Sequence, residues 1–287
     1  SGAIAYAPTS TLWTDAALKR RYVFLPTADS QIEYRDLDSW VFPVGTIIMK
    51  EFLVHSNMKD PRSALIPMET RFLVRKDSTT WKGYSYQWNA QGTDALLRAD
   101  QSGTVEWTVT NSPGSNATTH EHFYPSRSEC FQCHDGIDAD KVALGLKTAQ
   151  LNSWHPQSGS SENQLSFLHR NNLINQFPTS AALIPSSTPS PYNSAQSIDT
   201  RIKSYLHGNC SHCHFDTQGT CGDHRFDTPL SESGICNQVE PGHPANSPLY
   251  SRSTITEFGM PPLGRLRIDP QLEALFSAWI SQLETCE

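Results

Sequence analysis

No apolar run in this chain of 287 residues approaches the ~18 residues that a membrane-spanning helix needs. The longest, Trp40 to Met49, is interrupted by Pro43 and Gly45. Charge is scarce, at 18% of residues, and the net charge is -7, which argues against nucleic acid as a partner. The low charge also excludes a highly charged disordered chain, and 7 Trp, 9 Tyr and 12 Phe are enough to build cores. Methionine is rare, with four in all, so each deserves separate consideration. The length exceeds the usual size of one domain, so two domains, or one with an appendage, are expected. The polar residues are largely Ser, Thr, Asn and Gln with few Lys, a surface that suits an exported protein. Ser1-Gly2-Ala3 is compatible with the end left by removal of a leader peptide.

Cysteine is the informative residue. Four of the seven fall into two identical frames, Cys130-Phe131-Gln132-Cys133-His134 and Cys210-Ser211-His212-Cys213-His214. C-x-x-C-H is the attachment frame of c-type haem. Two thiols on one turn of chain can reach the two vinyl groups of a porphyrin, and the next residue presents an imidazole to the iron. A thioredoxin-like pair does not require the His. A zinc site built from both pairs would span a gap far longer than in zinc fingers or ribbons. The expectation is two covalently bound haem c groups, held by Cys130, Cys133, Cys210 and Cys213 with His134 and His214 on the irons. Such haem is attached outside the cytoplasm, so the expected location is periplasmic or extracellular. Of the remaining cysteines, Cys221 and Cys236 are expected to form a disulfide closing a loop of about 15 residues, worth roughly 3 kcal/mol. That leaves Cys286 odd.

Short β-branched or aromatic runs, several alternating polar with apolar, mark strands at Arg21–Leu25, Ser39–Phe42, Thr46–Val54, Glu69–Val74, Tyr84–Trp88 and Thr104–Thr108. Residues 1–125 therefore read as an antiparallel β-sandwich-like domain. Residues 126–196 carry the first C-x-x-C-H, helical segments at 142–151 and 163–174, and a linker with four Pro from about 176. Asp135, Asp138 and Asp140 alternate after His134, as half of a calcium loop or as a solvated helix cap. Residues 197–287 begin with a helix over Ile198–Leu206 that runs into the second motif. They end with an amphipathic helix over Pro270–Leu283, where Pro270 suits the first turn.

From about residue 197 the order helix, C-x-x-C-H, long loop, Met260-Pro261-Pro262, terminal helix resembles a class I cytochrome c domain. The whole chain resembles a family of bacterial diheme c-type cytochromes. The stretches that carry this are Leu12–Asp15, Phe42–Thr46, Glu69–Arg71, Tyr86–Asn89, Pro125–His134, Asn163–Leu165 and Met260–Gly264. The resemblance implies an α+β multi-domain chain whose C-terminal part is an all-α cytochrome c domain, with Met260 as the sixth ligand opposite His214. For the first iron, His122 is the candidate distal ligand, as it lies on an expected strand leading to Cys130. His120, His155 and His169 are alternatives, and Met49 and Met68 read as core residues. The expected function is electron transfer with redox partner proteins, or self-assembly through haem-exposing surfaces. The alternative is a diheme peroxidase or related oxidase, which would need one iron with an open position and nearby acid/base groups.

Overall fold

The computed structural model describes residues 2–37, 39–112, 116–134, 139–156, 162–215 and 222–286. They divide into two compact units, residues 1–8 with 16–187 and residues 9–15 with 188–287.

The first unit is built on one antiparallel sheet. Its strands are β1 (Ile4–Ala5), β2 (Leu18–Phe24), β4 (Ile47–His55), β5 (Leu65–Arg75), β6 (Trp81–Trp88) and β7 (Ala95–Leu97), ordered β1-β2-β4-β5-β6-β7. β3 (Ile32–Glu33) pairs in parallel with β10 (Ile174–Asn175), and β8 (Gly103–Val109) pairs with β9 (Thr118–Tyr124) as a separate ribbon. Alternation places Val23, Ile48 and Leu73 on one face in register, and that face is capped by non-strand chain. Val142, Leu146, Leu151, Leu165 and Leu168 complete this core with Trp40, Phe42 and Trp81. Trp40 is fully buried, and its indole N–H donates to Thr148 Oγ1 at 3.1 Å. A second cluster gathers Phe52, Val54 and Met68 with Trp107 and Val109 of the β8–β9 ribbon. Between Phe52 and Leu53 the pairing of β4 with β5 slips in register, as at a β-bulge.

The sandwich expectation is therefore corrected. The alternation marks the strands, but they form one sheet plus two small pairs, and helical and irregular chain takes the place of a second facing sheet. The expected strand at Ser39–Phe42 is reduced to a single bridge from Val41 to Glu33. Of the expected helix over 142–151, only α2 (Thr148–Leu151) forms, while α3 (Gln164–Arg170) covers most of the other.

The second unit holds short helices: α4 (Ile198–Asn209), α5 (Leu230–Ser233), α6 (Pro248–Ser253) and α7 (Pro270–Gln282). The expected all-α class I cytochrome c domain over 197–287 is also corrected. The described chain is dominated by the six-stranded sheet, and an all-α cytochrome domain is not evident in these helical pieces. Only α4 and α7 exceed two turns. Pro229, Pro241, Pro244, Pro248, Pro261 and Pro262 keep the stretch between them from propagating a helix. Ser197 caps α4 through its hydroxyl, which accepts from Thr200 N at 3.2 Å, and Asp269 caps α7. Ile202, Tyr205 and Leu206 of α4 pack with Leu272, Leu275, Phe276 and Trp279 of α7. The Trp279 indole N–H reaches Asp199 at 2.7 Å.

Residues 9–15, far away in sequence, complete this unit. The Ser10 hydroxyl donates to Ser204 O at 2.7 Å and Trp13 N to Asn209 Oδ1 at 2.6 Å. The Asp15 carboxylate accepts from Leu266 N at 2.9 Å and Arg267 N at 2.7 Å. Gly208 faces Ser10 so closely that a β-carbon there would collide with it.

The disulfide differs from expectation. Cys236 bonds to Cys286, not to Cys221, which lies outside the described residues. Cys286 follows α7, and its position against the α4–α7 core brings it to Cys236. Peptide mapping without reduction is expected to link Cys236 to Cys286. Cys286→Ser should cost about 4 kcal/mol in denaturant unfolding, the loop-closure entropy of a crosslink spanning 50 residues.

Candidate functional site

The two C-x-x-C-H frames share one backbone hydrogen bond, from the His N–H to the carbonyl of the first Cys. The first lies on α1 (Arg127–Cys133), which starts in a reciprocal cap. Glu129 N donates to Ser126 Oγ at 3.3 Å, and Ser126 N donates to Glu129 Oε2 at 2.7 Å. His134 ends the helix, with its backbone N–H on Cys130 O at 3.0 Å. Its Nδ1 lies 2.7 Å from the Val142 carbonyl oxygen. A carbonyl can only accept, so Nδ1 carries the proton and, in the neutral ring, Nε2 keeps its lone pair. Cys130 and Cys133 are half-buried and in no disulfide. Burial pushes the Cys130 thiol up from its ordinary range, against the pull of the Arg71 guanidinium.

The second frame follows α4. Cys210 N donates to Leu206 O at 2.8 Å, Cys213 N to Cys210 O at 3.0 Å and His214 N to Cys210 O at 2.9 Å. Burial pushes the Cys210 thiol up to about 12, while Cys213 is exposed. The His214 ring stacks on His224 with centroids 4.8 Å apart and planes 15° apart. His214 Nδ1 is buried without a hydrogen-bond partner among the described residues, and burial holds the ring's pKa below its usual value.

α1 rests on the sheet at Gly83 of β6, where a β-carbon would lie 3.8 Å from Cys130 Cβ and from the Phe131 ring. One row along the strands lies a buried polar cluster. Glu69 of β5 is fully buried, and Arg71 grips both its oxygens at 2.7 and 2.8 Å. The Ser85 hydroxyl donates to Glu69 Oε1 at 2.6 Å, and His122 Nε2 lies 2.7 Å from Oε2. Burial alone would raise the Glu69 pKa, but Arg71 and His122 overcome that and hold it at about 2.

This cluster decides where His122 stands. It lies on β9 as expected, buried between Phe52 and Tyr124, with Nε2 engaged by Glu69. Service as a distal ligand through that nitrogen would require breaking the contact with a buried carboxylate. His155 and His169 stack on Phe167 and Phe177, at 4.0 and 4.8 Å between centroids. His120 is buried, Met68 is core, and Met49 is half-exposed on the sheet face opposite Lys50. Asp140 pairs with Arg75 at 3.4 Å and with Arg35 at 3.8 Å, whereas Asp135 and Asp138 lie outside the described residues. Met260 is half-buried in the second unit, with its N–H on Arg252 O at 2.7 Å. Its turn is pinned by Arg265, which donates to Ser253 O at 2.8 Å and also to Ile255 O. Gly259 is required there, because a β-carbon would strike both Ile255 O and the Arg265 guanidinium. Among the described residues no group of three or more His, Cys, Asp or Glu side chains is arranged to hold a metal ion.

Sequence reasoning did not single out Glu69, Arg71, Lys50 or Arg21 as site residues. The available signal was charge at inward positions of strands that otherwise alternate apolar residues inward.

Glu69→Gln, which leaves Arg71 and His122 without a buried anion, is expected to cost ~3–5 kcal/mol in denaturant unfolding at neutral pH. The pH dependence has a definite sign. The folded pKa of about 2 lies below the ordinary 4.5, so the stabilisation is full above pH 4.5 and vanishes as pH falls through 2. In an acid titration followed by thermal unfolding, the variant should lose that limb of the wild-type profile.

No protein-family model, curated protein or solved structure matches the chain.

Proposed function

We propose that the chain is a diheme c-type cytochrome that transfers electrons outside the cytoplasm. The observation that carries this reading is the His134 ring. Its Nδ1 is committed to the Val142 carbonyl at 2.7 Å, next to two cysteines on one helical turn that form no disulfide. That is the arrangement a proximal ligand requires, with the tautomer and ring orientation fixed before any iron is bound. In this reading Cys130 and Cys133 form the thioethers of one haem and Cys210 and Cys213 those of the other, with His134 and His214 as axial ligands. Bound haem would supply one-electron exchange between ferric and ferrous iron.

The chain's own residues supply position and environment. The Ser126–Glu129 cap holds the start of α1, and the sheet beneath it at Gly83 sets how closely the thiols approach the strands. At the second motif, Asn209 precedes Cys210 and accepts from Trp13 N, so residues 9–15 restrain the chain that enters the frame. Met260 remains the proposed ligand opposite His214, as a soft thioether that favours ferrous iron. A location outside the cytoplasm is supported by the Cys236–Cys286 disulfide, since such bonds persist in oxidising compartments. The net charge of -7 favours basic redox partners through small, salt-sensitive interfaces.

The intact mass of the protein matured with haem-attachment machinery should exceed the polypeptide by two haems. Replacing Cys130 and Cys133 by Ala should remove one, and replacing Cys210 and Cys213 the other. A mass without haem, or with zinc, would overturn the reading. Rapid cyanide binding at the first iron, together with peroxide turnover, would replace electron transfer by an enzymatic role.

Met260→Ala should open the second iron to carbon monoxide and cyanide and lower its reduction potential, while the first haem is unchanged. Unaltered ligand binding and potential would exclude Met260 as the ligand.

A further inference from the structure

The sheet face under α1 carries a row of cations. Register places Arg21 of β2 opposite Lys50 of β4, Lys50 opposite Arg71 of β5, and Arg71 opposite Ser85 of β6. Residues paired across strands share a face, so these side chains form one line with strand-to-strand steps of ~4.8 Å. The next row on the same face is Val23, Ile48, Leu73 and Gly83. It lies two residues along each strand, and its Gly83 is where Cys130 and Phe131 of α1 sit. The cations therefore border the first C-x-x-C-H directly.

Among the described residues, neither Arg21 nor Lys50 forms an ion pair with a carboxylate, although Glu69 lies near enough to favour charged Lys50. Glu69 is the carboxylate at this place, and Arg71 and His122 already occupy it. Arg21 is buried, and its side chain makes no hydrogen bond or ion pair with a described residue. Lys50 is half-buried, and its contact is the face of Phe52, 5.1 Å from the ammonium to the ring centroid. Burial pushes the Lys50 pKa down to about 7, and Arg21 and Arg71 push it the same way. A buried guanidinium and a half-buried ammonium beside a third cation are costly unless an anion meets them. A haem held by Cys130 and Cys133 would bring carboxylates of its own next to this row.

We propose that Arg21 and Lys50 receive the propionate carboxylates of the haem carried by Cys130 and Cys133, a role that rests on the haem reading above. Arg71 is left to hold Glu69, so the row splits into one cation for the protein's own buried anion and two for the cofactor's. The consequence is a fixed positive field at the first haem, which favours the electron-rich ferrous state.

The test uses the haem-loaded protein and the variants Arg21→Met and Lys50→Met, whose stems fill similar space without charge. Intact mass first establishes that two haems are present. The first haem's potential should then fall in each variant. A single cation at this range should change the ferrous-to-ferric ratio by about tenfold at fixed potential, which is 59 mV for a one-electron couple. Redox-difference infrared spectra should show the propionate carboxylate bands moving, which a distant charge would not cause. Lys50→Arg should keep the wild-type potential while its guanidinium, replacing an ammonium, still moves the carboxylate bands, and Lys82→Met, exposed on the opposite face, should alter neither potential nor bands. Two haems in every protein, with unchanged bands and potential in both Met variants, would overturn the propionate site while leaving the haem reading intact. No haem at the first motif of the wild type would instead defeat the haem reading. If a Met variant does not accumulate, Arg21→Lys and Lys50→Arg provide the same infrared comparison without removing charge. Bands that stay fixed in both would overturn the site. A wild-type potential that follows added inorganic phosphate at constant ionic strength would overturn it too, since the row would then be open to mobile anions.

Discussion

A carboxylate with no exposed surface must be paired wherever it sits, and Glu69 sets that demand at the centre of the first unit. Arg71 answers it from the same strand, Ser85 from the next, and His122 from the β8–β9 ribbon. Among the described residues the ribbon makes no ladder with the main sheet, and this contact, the apolar cluster around Phe52, Met68 and Trp107, and the Thr110 N–H donated to Ser56 O at 2.8 Å tie it down. β9 ends at Tyr124, whose hydroxyl donates to Met68 O at 2.9 Å. Two residues later Ser126 caps α1. The position of the first C-x-x-C-H thus follows from how a buried charge is satisfied on the strand beside it.

The second unit secures its motif by different means. α4 and α7 bury their apolar stripes against each other, the Cys236–Cys286 bond closes the end of α7 onto that core, and residues 9–15 bind the end of α4 through Ser10, Trp13 and Asn209. A segment near the chain's start therefore belongs with its last hundred residues. Asp15 holds the far end of that segment by accepting backbone N–H groups from Leu266 and Arg267. Here the restraint is a set of hydrogen bonds to backbone rather than one buried ion pair, and Gly208 supplies the clearance that makes them possible.

Comparison of the two frames separates what repeats from what does not. The bond from the His backbone N–H to the first Cys carbonyl is the same in both, because it follows from a C-x-x-C-H frame closing a helical turn. The ring environments differ. Nδ1 of His134 meets a carbonyl eight residues downstream, whereas His214 packs against another imidazole. Neither could be derived from five-residue motifs, since each partner is supplied by the loop that follows.

Much of the local structure was legible in the residues. Alternation located β2, β4, β5, β6 and β8, periodicity located α4 and α7, and α3 falls within the expected 163–174, because strands and amphipathic helices record their buried side every second or every third to fourth residue. The C-x-x-C-H frames were legible for the same reason, as chemistry set by spacing along the chain. Contacts between distant residues were not. The choice of one sheet capped by helical chain over two facing sheets depended on which apolar surfaces met. The pairing of Cys236 with Cys286 depended on where α7 brought the chain end. The row of Arg21, Lys50 and Arg71 exists through strand register alone, since residues 29 and 21 positions apart become neighbours when antiparallel strands align. The sequence by itself determined which segments extend, which coil and where the paired thiols lie, since those properties are written in nearest-neighbour spacing. Only the tertiary structure decided which charges would share a buried face, because that depends on the register in which separate segments condense.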